Sequence, residues 1–328
     1  MKAVICRAFS SPLQVSVEDL PSPGVSDGQV KIAVRAAAVS FFDILMVKGL
    51  YQRRPPLPFI AGSEAVGEIV AVGPGVTGLA VGDRVAAFNL LGGAYAEEMV
   101  VPAEEALPIP DSVSYETAAA VKSSYGTALH GLRDRARLQS GEQLLVLGGS
   151  GSVGLAFLEV GRLLGAKLIA AVGSDEKARL LQRLGFETTI NYSKEPLRDR
   201  VHELTASKGA DVIIDPVGGD AFDQAVRAIA WGGRVCVVGF ASGRIPQLAV
   251  NKVLLKSFDV VGVNWGAWIY LERKAQHDDA RQLMAWCAEG KLAPHVCATL
   301  PMQEVGLAMG MLQDRSATGK VLLRTTPA

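Results

Sequence analysis

Residues Gly149-Ser150-Gly151-Ser152-Val153-Gly154 fit G-x-G-x-x-G, and they stand between the apolar run 143–147 and a helical apolar pattern over 153–164. A glycine turn in that position offers free backbone N–H groups and the positive end of a helix to a pyrophosphate. On this expectation Gly149 permits the tight turn, Gly151 lets the phosphate approach, and Gly154 allows helix and strand to pack closely. No G-x-x-x-x-G-K-[ST] occurs, which disfavours an NTP-hydrolysing loop. The next strand closes Ala170-Ala171-Val172-Gly173-Ser174 without the acid that would bind both ribose hydroxyls of NAD and repel the extra phosphate of NADP. Ser174 can donate to that phosphate, Lys177 can reach it as a point charge, and Tyr192 stands near enough to close the pocket. The expected cofactor is therefore NADPH. Two features compete with this: Ser174 could be only a helix N-cap beside a solvated Lys177, and Asp175 and Glu176 add negative charge unless they face solvent and serve the helix dipole.

The turn needs a sheet to hold it. Apolar runs at 143–147, 167–172, 188–191, 211–215, 234–238 and 259–263 alternate with amphipathic stretches such as 176–184 and 198–204; only 241–256 gives a weak helical pattern. Short apolar strands separated by helices form crossover units, so the expected fold is α/β, with a doubly wound six-stranded parallel sheet. Residues before about 120 instead carry short strands broken by Pro21-Ser22-Pro23-Gly24, Pro55-Pro56 and Gly73-Pro74-Gly75, which reads as an irregular, mostly antiparallel β domain. The tail from Trp265 is too short to stand alone. The expected division is a β-rich domain over 1–123 completed by 265–328, and a dinucleotide-binding domain over 124–264.

With 33 basic and 33 acidic residues, the chain has no global field to draw it to nucleic acid or to anionic membranes. Cys6, Cys236, Cys287 and Cys297 form no CxxC pair, which suits reduced thiols, and no apolar segment reaches the roughly 18 residues that span a bilayer. A cytoplasmic protein without nucleic-acid or membrane partners is expected. His130, His202, His277 and His295 are isolated and are expected at the surface or at an interface.

Further stretches carry a resemblance that covers essentially the whole chain. Ser40-Phe41-Phe42-Asp43, Gly49-Leu50-Tyr51, Pro58-Phe59-Ile60-Ala61-Gly62-Ser63-Glu64-Ala65-Val66-Gly67, Gly82-Asp83-Arg84-Val85, Tyr125-Gly126-Thr127-Ala128 and Asp215-Pro216-Val217-Gly218-Gly219 join the glycine turn. Together they resemble the medium-chain dehydrogenase/reductases, and within them the zinc-free NADPH:quinone oxidoreductase (zeta-crystallin-like) branch. The resemblance implies a GroES-like catalytic domain, a Rossmann domain, and an active site in the cleft. Zinc-dependent relatives have Gly-His-Glu where this chain has Gly62-Ser63-Glu64, and a cysteine near Ala38 and Ser40; a serine hydroxyl is a poor zinc ligand, so no metal is expected.

Without a metal, the chemistry expected is hydride delivery to an acceptor that is already electrophilic, a quinone or a conjugated enone, assisted by positioning and a few hydrogen bonds. The resemblance assigns substrate contact or proton donation to Tyr51 and an active-site place to Asp43, which could equally cap a helix over 44–48. Ser40 stands where many relatives carry asparagine, and Leu45 where some carry a second tyrosine, so the pocket is less polar than theirs. By the same resemblance Thr127 lies near the nicotinamide amide, Gly239, Phe240, Val263, Asn264 and Trp265 line the ring, and Arg315 reaches the cofactor from the tail. The strand 259–263 would be a sheet edge pairing across a homodimer axis. Three functions follow: a quinone reductase; a reductase of activated C=C bonds in enones, alkenals or enoyl thioesters, with Lys48, Arg53 and Arg54 available for thioester phosphates; or a non-catalytic NADPH-binding crystallin-like protein.

Overall fold

Six short apolar runs become the parallel strands of one sheet: β1 Gln143–Leu147, β2 Lys167–Val172, β3 Thr189–Asn191, β4 Ala210–Asp215, β5 Ile229–Val237 and β6 Asp259–Gly262. Their order is β3-β2-β1-β4-β5-β6. Helices cover both faces, which is why the central strands bury almost every side chain: Leu144 to Leu147 are all buried, as are Val212 to Asp215. Strand β5 begins at Ile229 rather than at 234, because the register against β4 shifts between Ala210 and Val212, and Gly232 takes φ of 68° there. The weak pattern over 241–256 yields only the short helix Asn251–Lys256. Strands β1 and β4 are adjacent at the centre of the sheet, and the chain order reverses between them. The carboxyl ends of the strands at such a reversal form the usual ligand crevice of a doubly wound sheet.

The computed structural model describes residues 1–325; the last three residues of the expected tail lie outside them. The sheet belongs to one compact unit, Ser124–Arg273, and the other unit is Met1–Ser123 together with the chain from Lys274. In this second unit the long strand Gln29–Val39 is the spine of a seven-stranded sheet. It pairs antiparallel with Glu64–Val72, Glu98–Pro102 and Lys320–Arg324. The tail thus returns to the β-rich unit residue by residue, Val321 opposite Val39 and Arg324 opposite Ala36. Where Gln29–Val39 and Glu64–Val72 cross, only glycine fits: a Cβ on Gly67 would lie 1.9 Å from the Ala33 carbonyl oxygen. Val4, Ile32, Ile69, Tyr95, Met99 and Leu323 fill the core between this sheet and a three-stranded one. The architecture is the expected one, a β-rich GroES-like unit and a Rossmann sheet. No helix among the described residues is long and apolar enough to cross a membrane.

Candidate functional site

The glycine turn leaves β1 and enters helix α1, Ser152–Leu163, with Gly151 as N-cap in extended conformation (φ −78°, ψ 166°). The left-handed position of the turn falls at Gly148 (φ 60°), one residue earlier than the tight-turn role assigned to Gly149. Gly149 is required for a different reason: a Cβ there would lie 3.2 Å from Ala170 Cβ and 3.3 Å from Leu158 Cδ1. At Gly154 a Cβ would lie 2.3 Å from the Gly148 carbonyl oxygen, whereas at Gly151 it would meet only that oxygen, at 3.5 Å. The turn is therefore closed on its helix side and open at Gly151. The first bond of α1 runs from Leu155 N to Gly151 O, so the N–H groups of Ser152, Val153 and Gly154 have no intrahelical partner. Ser150 is buried in the bend. This cradle fits a pyrophosphate.

At the end of β2, Gly173, Ser174, Lys177 and Tyr192 come together. Ser174 caps the helix Asp175–Arg183 by accepting from Lys177 N at 3.3 Å, and its own proton remains available to donate. A Cβ on Gly173 would lie 3.4 Å from the Tyr192 hydroxyl. Asp175 is turned toward β3, where it accepts from Asn191 Nδ2 at 2.6 Å and pairs with Lys194. These donors hold its carboxyl below the usual range, the Lys194 bond most strongly.

The ends of β4, β5 and β6 lie at the same end of the parallel sheet as the cradle. Val217 Cγ2 sits 2.8 Å from where a Gly148 Cβ would be, so the turn after β4 flanks the glycine turn. Asp215 shapes that turn: its Oδ1 accepts from Val217 N at 2.9 Å and from Gly218 N at 2.7 Å, and its carbonyl accepts from Val238 N and Gly239 N. Burial raises the Asp215 carboxyl above its ordinary range. Phe240, partly exposed, approaches Gly218. Asn264 caps the helix Trp265–Leu271, and the buried Trp265 indole lies against Gly126, the neighbour of Thr127; Val263 approaches Gly131. The structure thus gathers every proposed cofactor residue of this unit at one end of the sheet. Arg315 belongs to the other unit, exposed after the helix Val305–Gln313 with φ of 62°.

In the β-rich unit Ser40 is the N-cap of the helix Phe41–Val47. Asp43 does cap the helix, though from inside it: it is the third helical residue and closes a capping box, its carboxylate accepting from Ser40 N at 2.9 Å. Its carboxylate is buried and satisfied, taking further bonds from Ser63 Oγ and the Tyr95 hydroxyl, both at 2.9 Å. Burial pushes its pKa up to about 6 against those three donors and the nearby Lys320 charge. Tyr51 folds back along the helix so that its ring lies 5.3 Å from that of Phe42, which in turn lies 6.2 Å from Phe88. Burial raises the Tyr51 pKa while the Arg53 charge opposes it.

Behind Ser40 lies a charge pair that the pattern of the chain did not single out. Lys320 Nζ, 3.2 Å from Glu64 Oε2, is buried with it between the strands. Glu64 also accepts from Ser123 N at 2.8 Å and Ser123 Oγ at 2.7 Å. Lys122 is buried too, donating to Glu105 O at 3.0 Å, and burial lowers its pKa to about 8. The sequence signal for the pair was weak: Glu64 and Lys320 each open a mainly apolar strand, but Glu68 and Arg324 in the same strands carry charges too. His130 also differs from expectation: it is buried, bound to Asp134 through Nδ1 at 2.9 Å and stacked on Trp268. Among the described residues, no group of three or more His, Cys, Asp or Glu side chains is placed to hold a metal ion.

Comparison with known proteins matches residues 26–111 to the alcohol dehydrogenase GroES-like domain and 152–289 to the zinc-binding dehydrogenase domain. The quinone oxidoreductase-like protein 2 homolog of Nematostella vectensis is 40% identical over 99% of this chain and 89% of its own. Quinone oxidoreductase-like protein 2 of Mus musculus is 38% identical over 98% and 91%. The acryloyl-coenzyme A reductase of Metallosphaera sedula is 30% identical over 99% and 100%. Among solved structures, Escherichia coli quinone oxidoreductase complexed with NADPH superposes with a TM-score of 0.92 at 27% identity, covering 99% of this chain and 100% of that one. Sequence and fold agree over the full length, and the chain belongs to the medium-chain dehydrogenase/reductase family, in its quinone oxidoreductase-like branch.

Proposed function

We propose that the chain is a zinc-independent, NADPH-dependent reductase of quinones. The observation that carries this is the acid-free end of β2, where Ser174 and Tyr192 border Gly173 while Asp175 is drawn away by Asn191 and Lys194. The open face at Gly151 and the first N–H groups of α1 hold the pyrophosphate; Ser174 and Lys177 hold the extra phosphate; Thr127, Gly239, Phe240, Val263, Asn264 and Trp265 orient the ring, and Arg315 adds a cation. NADPH bound there supplies a hydride. On the β-rich unit, the Tyr51–Phe42 face suits a planar acceptor, and the protonated Tyr51 phenol donates to it.

Lys177→Ala is expected to weaken NADPH about tenfold, the worth of one charge-assisted contact, and to leave NADH unchanged. Nucleotide fluorescence titrations check this; a variant that keeps the preference for NADPH puts the phosphate elsewhere.

The similarity to acryloyl-coenzyme A reductase favours a second reading, reduction of an activated C=C bond, with Lys48, Arg53 and Arg54 receiving the thioester's phosphates. NADPH oxidation with a small benzoquinone and an enone of similar size, side by side and with NADH as comparison donor, separates the two. Quinone turnover with a dead enone supports the first reading and the reverse supports the second. NADPH binding with neither turnover leaves the non-catalytic, crystallin-like protein.

The cytoplasm supplies both NADPH and reduced thiols, and a homodimer is proposed there. Among the described residues strand β6 pairs only with β5, its Val260 is exposed, and the adjoining Val250, Leu254 and Leu255 are exposed as well. An open apolar sheet edge invites a second copy. Sedimentation should give twice the chain's 34.6 kDa, and Val260→Asp should return it to the monomer mass. A wild type of monomer mass removes the proposal.

A further inference from the structure

The buried charge pair ends in a hydroxyl that is still free to donate. Lys320 Nζ reaches Glu64 Oε2 at 3.2 Å, Ser123 Oγ at 3.4 Å and Ser40 Oγ at 3.4 Å. Glu64 is fixed in turn by Ser123, through both its N–H and its hydroxyl. Ser123 thereby gives its proton to Glu64. Ser40 differs. Its oxygen accepts from Lys320, and no acceptor for its own proton occurs among the described residues. Serine has one donor and two acceptor sites, so this proton is the unused member of the cluster.

The layering sets its direction. Lys320 and Glu64 are 2% and 1% exposed, whereas Ser40 and Ser123 are half-buried and form the outer layer. A cation held behind a hydroxyl strengthens that hydroxyl as a donor, because hydrogen bonds in a chain polarise one another and the surroundings screen little. The ammonium itself stays out of reach of any ligand, so it acts only through Ser40. The same helix carries Phe42, on which the Tyr51 ring rests, so the hydroxyl and the proposed acceptor face lie on one turn.

We propose that the Ser40 hydroxyl, polarised by Lys320, donates the hydrogen bond to the acceptor oxygen that becomes negative as hydride arrives, and that Lys320 is its positioning residue. The inference rests on the reductase reading above. In the step, hydride forms a new C–H bond at the acceptor carbon conjugated to its carbonyl and the π electrons shift onto the carbonyl oxygen, so the acceptor is reduced by two electrons as the donor is oxidised; an enone then gives the saturated ketone, and a quinone's keto-enolate tautomerises to the hydroquinone. Ser40 keeps its proton; the acceptor's proton comes later, from Tyr51 or water. Glu64 holds Lys320 in place so that the donor is aimed before the charge develops.

The test uses the full chain, a small benzoquinone or the enone, whichever turns over, and four variants: Ser40→Ala, Lys320→Arg, Lys320→Met with Glu64→Gln, and those two changes combined with Ser40→Ala. Neutralising both partners avoids an orphaned charge, so folding is retained. Loss of one preorganised donor is expected to lower kcat about 100-fold, with KM for the acceptor and Kd for NADPH changed by less than about threefold. The Lys320/Glu64 pair variant should lower kcat in the same sense, and the triple variant should be no slower than Ser40→Ala alone, since both changes remove one interaction. Lys320→Arg should restore most of the rate. Full kcat in Ser40→Ala, or effects that multiply in the triple variant, would overturn the inference while leaving the reductase reading in place. A wild type inert with both acceptors would overturn both.

Discussion

Lys320→Met alone should cost the β-rich unit about 3–5 kcal/mol, because it takes from the buried Glu64 carboxylate the one cation hydrogen-bonded to it among the described residues, and the nearby Lys122 ammonium donates to the Ala86 and Glu105 carbonyls instead. Glu64 is 1% exposed, and the two donors it would keep, Ser123 N and Ser123 Oγ, carry no full charge. The strand Lys320–Arg324 pairs with Gln29–Val39 over four residues, so the damage is local to the place where the tail closes the sheet. Urea unfolding of the three chains measures it. The single variant should show the large loss, and the Lys320→Met/Glu64→Gln pair should recover to within about 1.5 kcal/mol of wild type, as buried pairs replaced by neutral groups usually do. A single variant as stable as wild type would mean that Glu64 is not held as a charged partner. A double variant as unstable as the single would mean that packing, rather than charge, is what Lys320 supplies.

Gly154→Ala and Gly151→Val should fail in opposite ways. At Gly154 the new Cβ runs into the backbone of the turn, Gly148 O at 2.3 Å and Gly149 Cα at 2.8 Å, so the turn and α1 must separate. Overpacking of this kind costs about 1–3 kcal/mol, and thermal unfolding should show it without any nucleotide present. At Gly151 the backbone is extended and the Cβ site is open except for Gly148 O at 3.5 Å, so Val should fold to within about 0.5 kcal/mol of wild type. Its branched side chain then stands where the pyrophosphate must lie, and NADPH affinity should fall at least 100-fold, about 2.7 kcal/mol. Wild-type affinity in Gly151→Val would remove the phosphate from this turn, and unchanged stability in Gly154→Ala would show that the turn has slack that the packing does not suggest.

The Rossmann unit was the more legible half. Its signals are local: each parallel strand is an apolar run, and the glycines sit where phosphate, helix and strand compete for one space. Yet even here the left-handed residue proved to be Gly148, because a motif fixes spacing but not which peptide turns over. The direction of Asp175 was open as well. From the chain it counted against an NADPH pocket, and only the packing of Asn191 and Lys194 at the end of β3 draws it aside.

The β-rich unit behaved otherwise. Tyr51, Asp43 and Ser40 were named by resemblance, and the folded chain gives them different situations: Tyr51 half-buried on Phe42, Ser40 on the accessible side, Asp43 enclosed by Ser63, Tyr95 and Ser40. Lys320 and Glu64 are 256 residues apart, and no periodicity links them.

The chain by itself determined the strand and helix alternation, the glycine turn between β1 and α1 and the absence of a carboxylate at the end of β2, since these depend on residues within one or two turns of each other. Tertiary structure alone decided which charges meet. An ion is tolerated in the interior only beside its partner, and that partner is chosen by strand pairing: the antiparallel return of Lys320–Arg324 onto Gln29–Val39, and of Gln29–Val39 onto Glu64–Val72, sets Lys320 over Glu64 and behind Ser40.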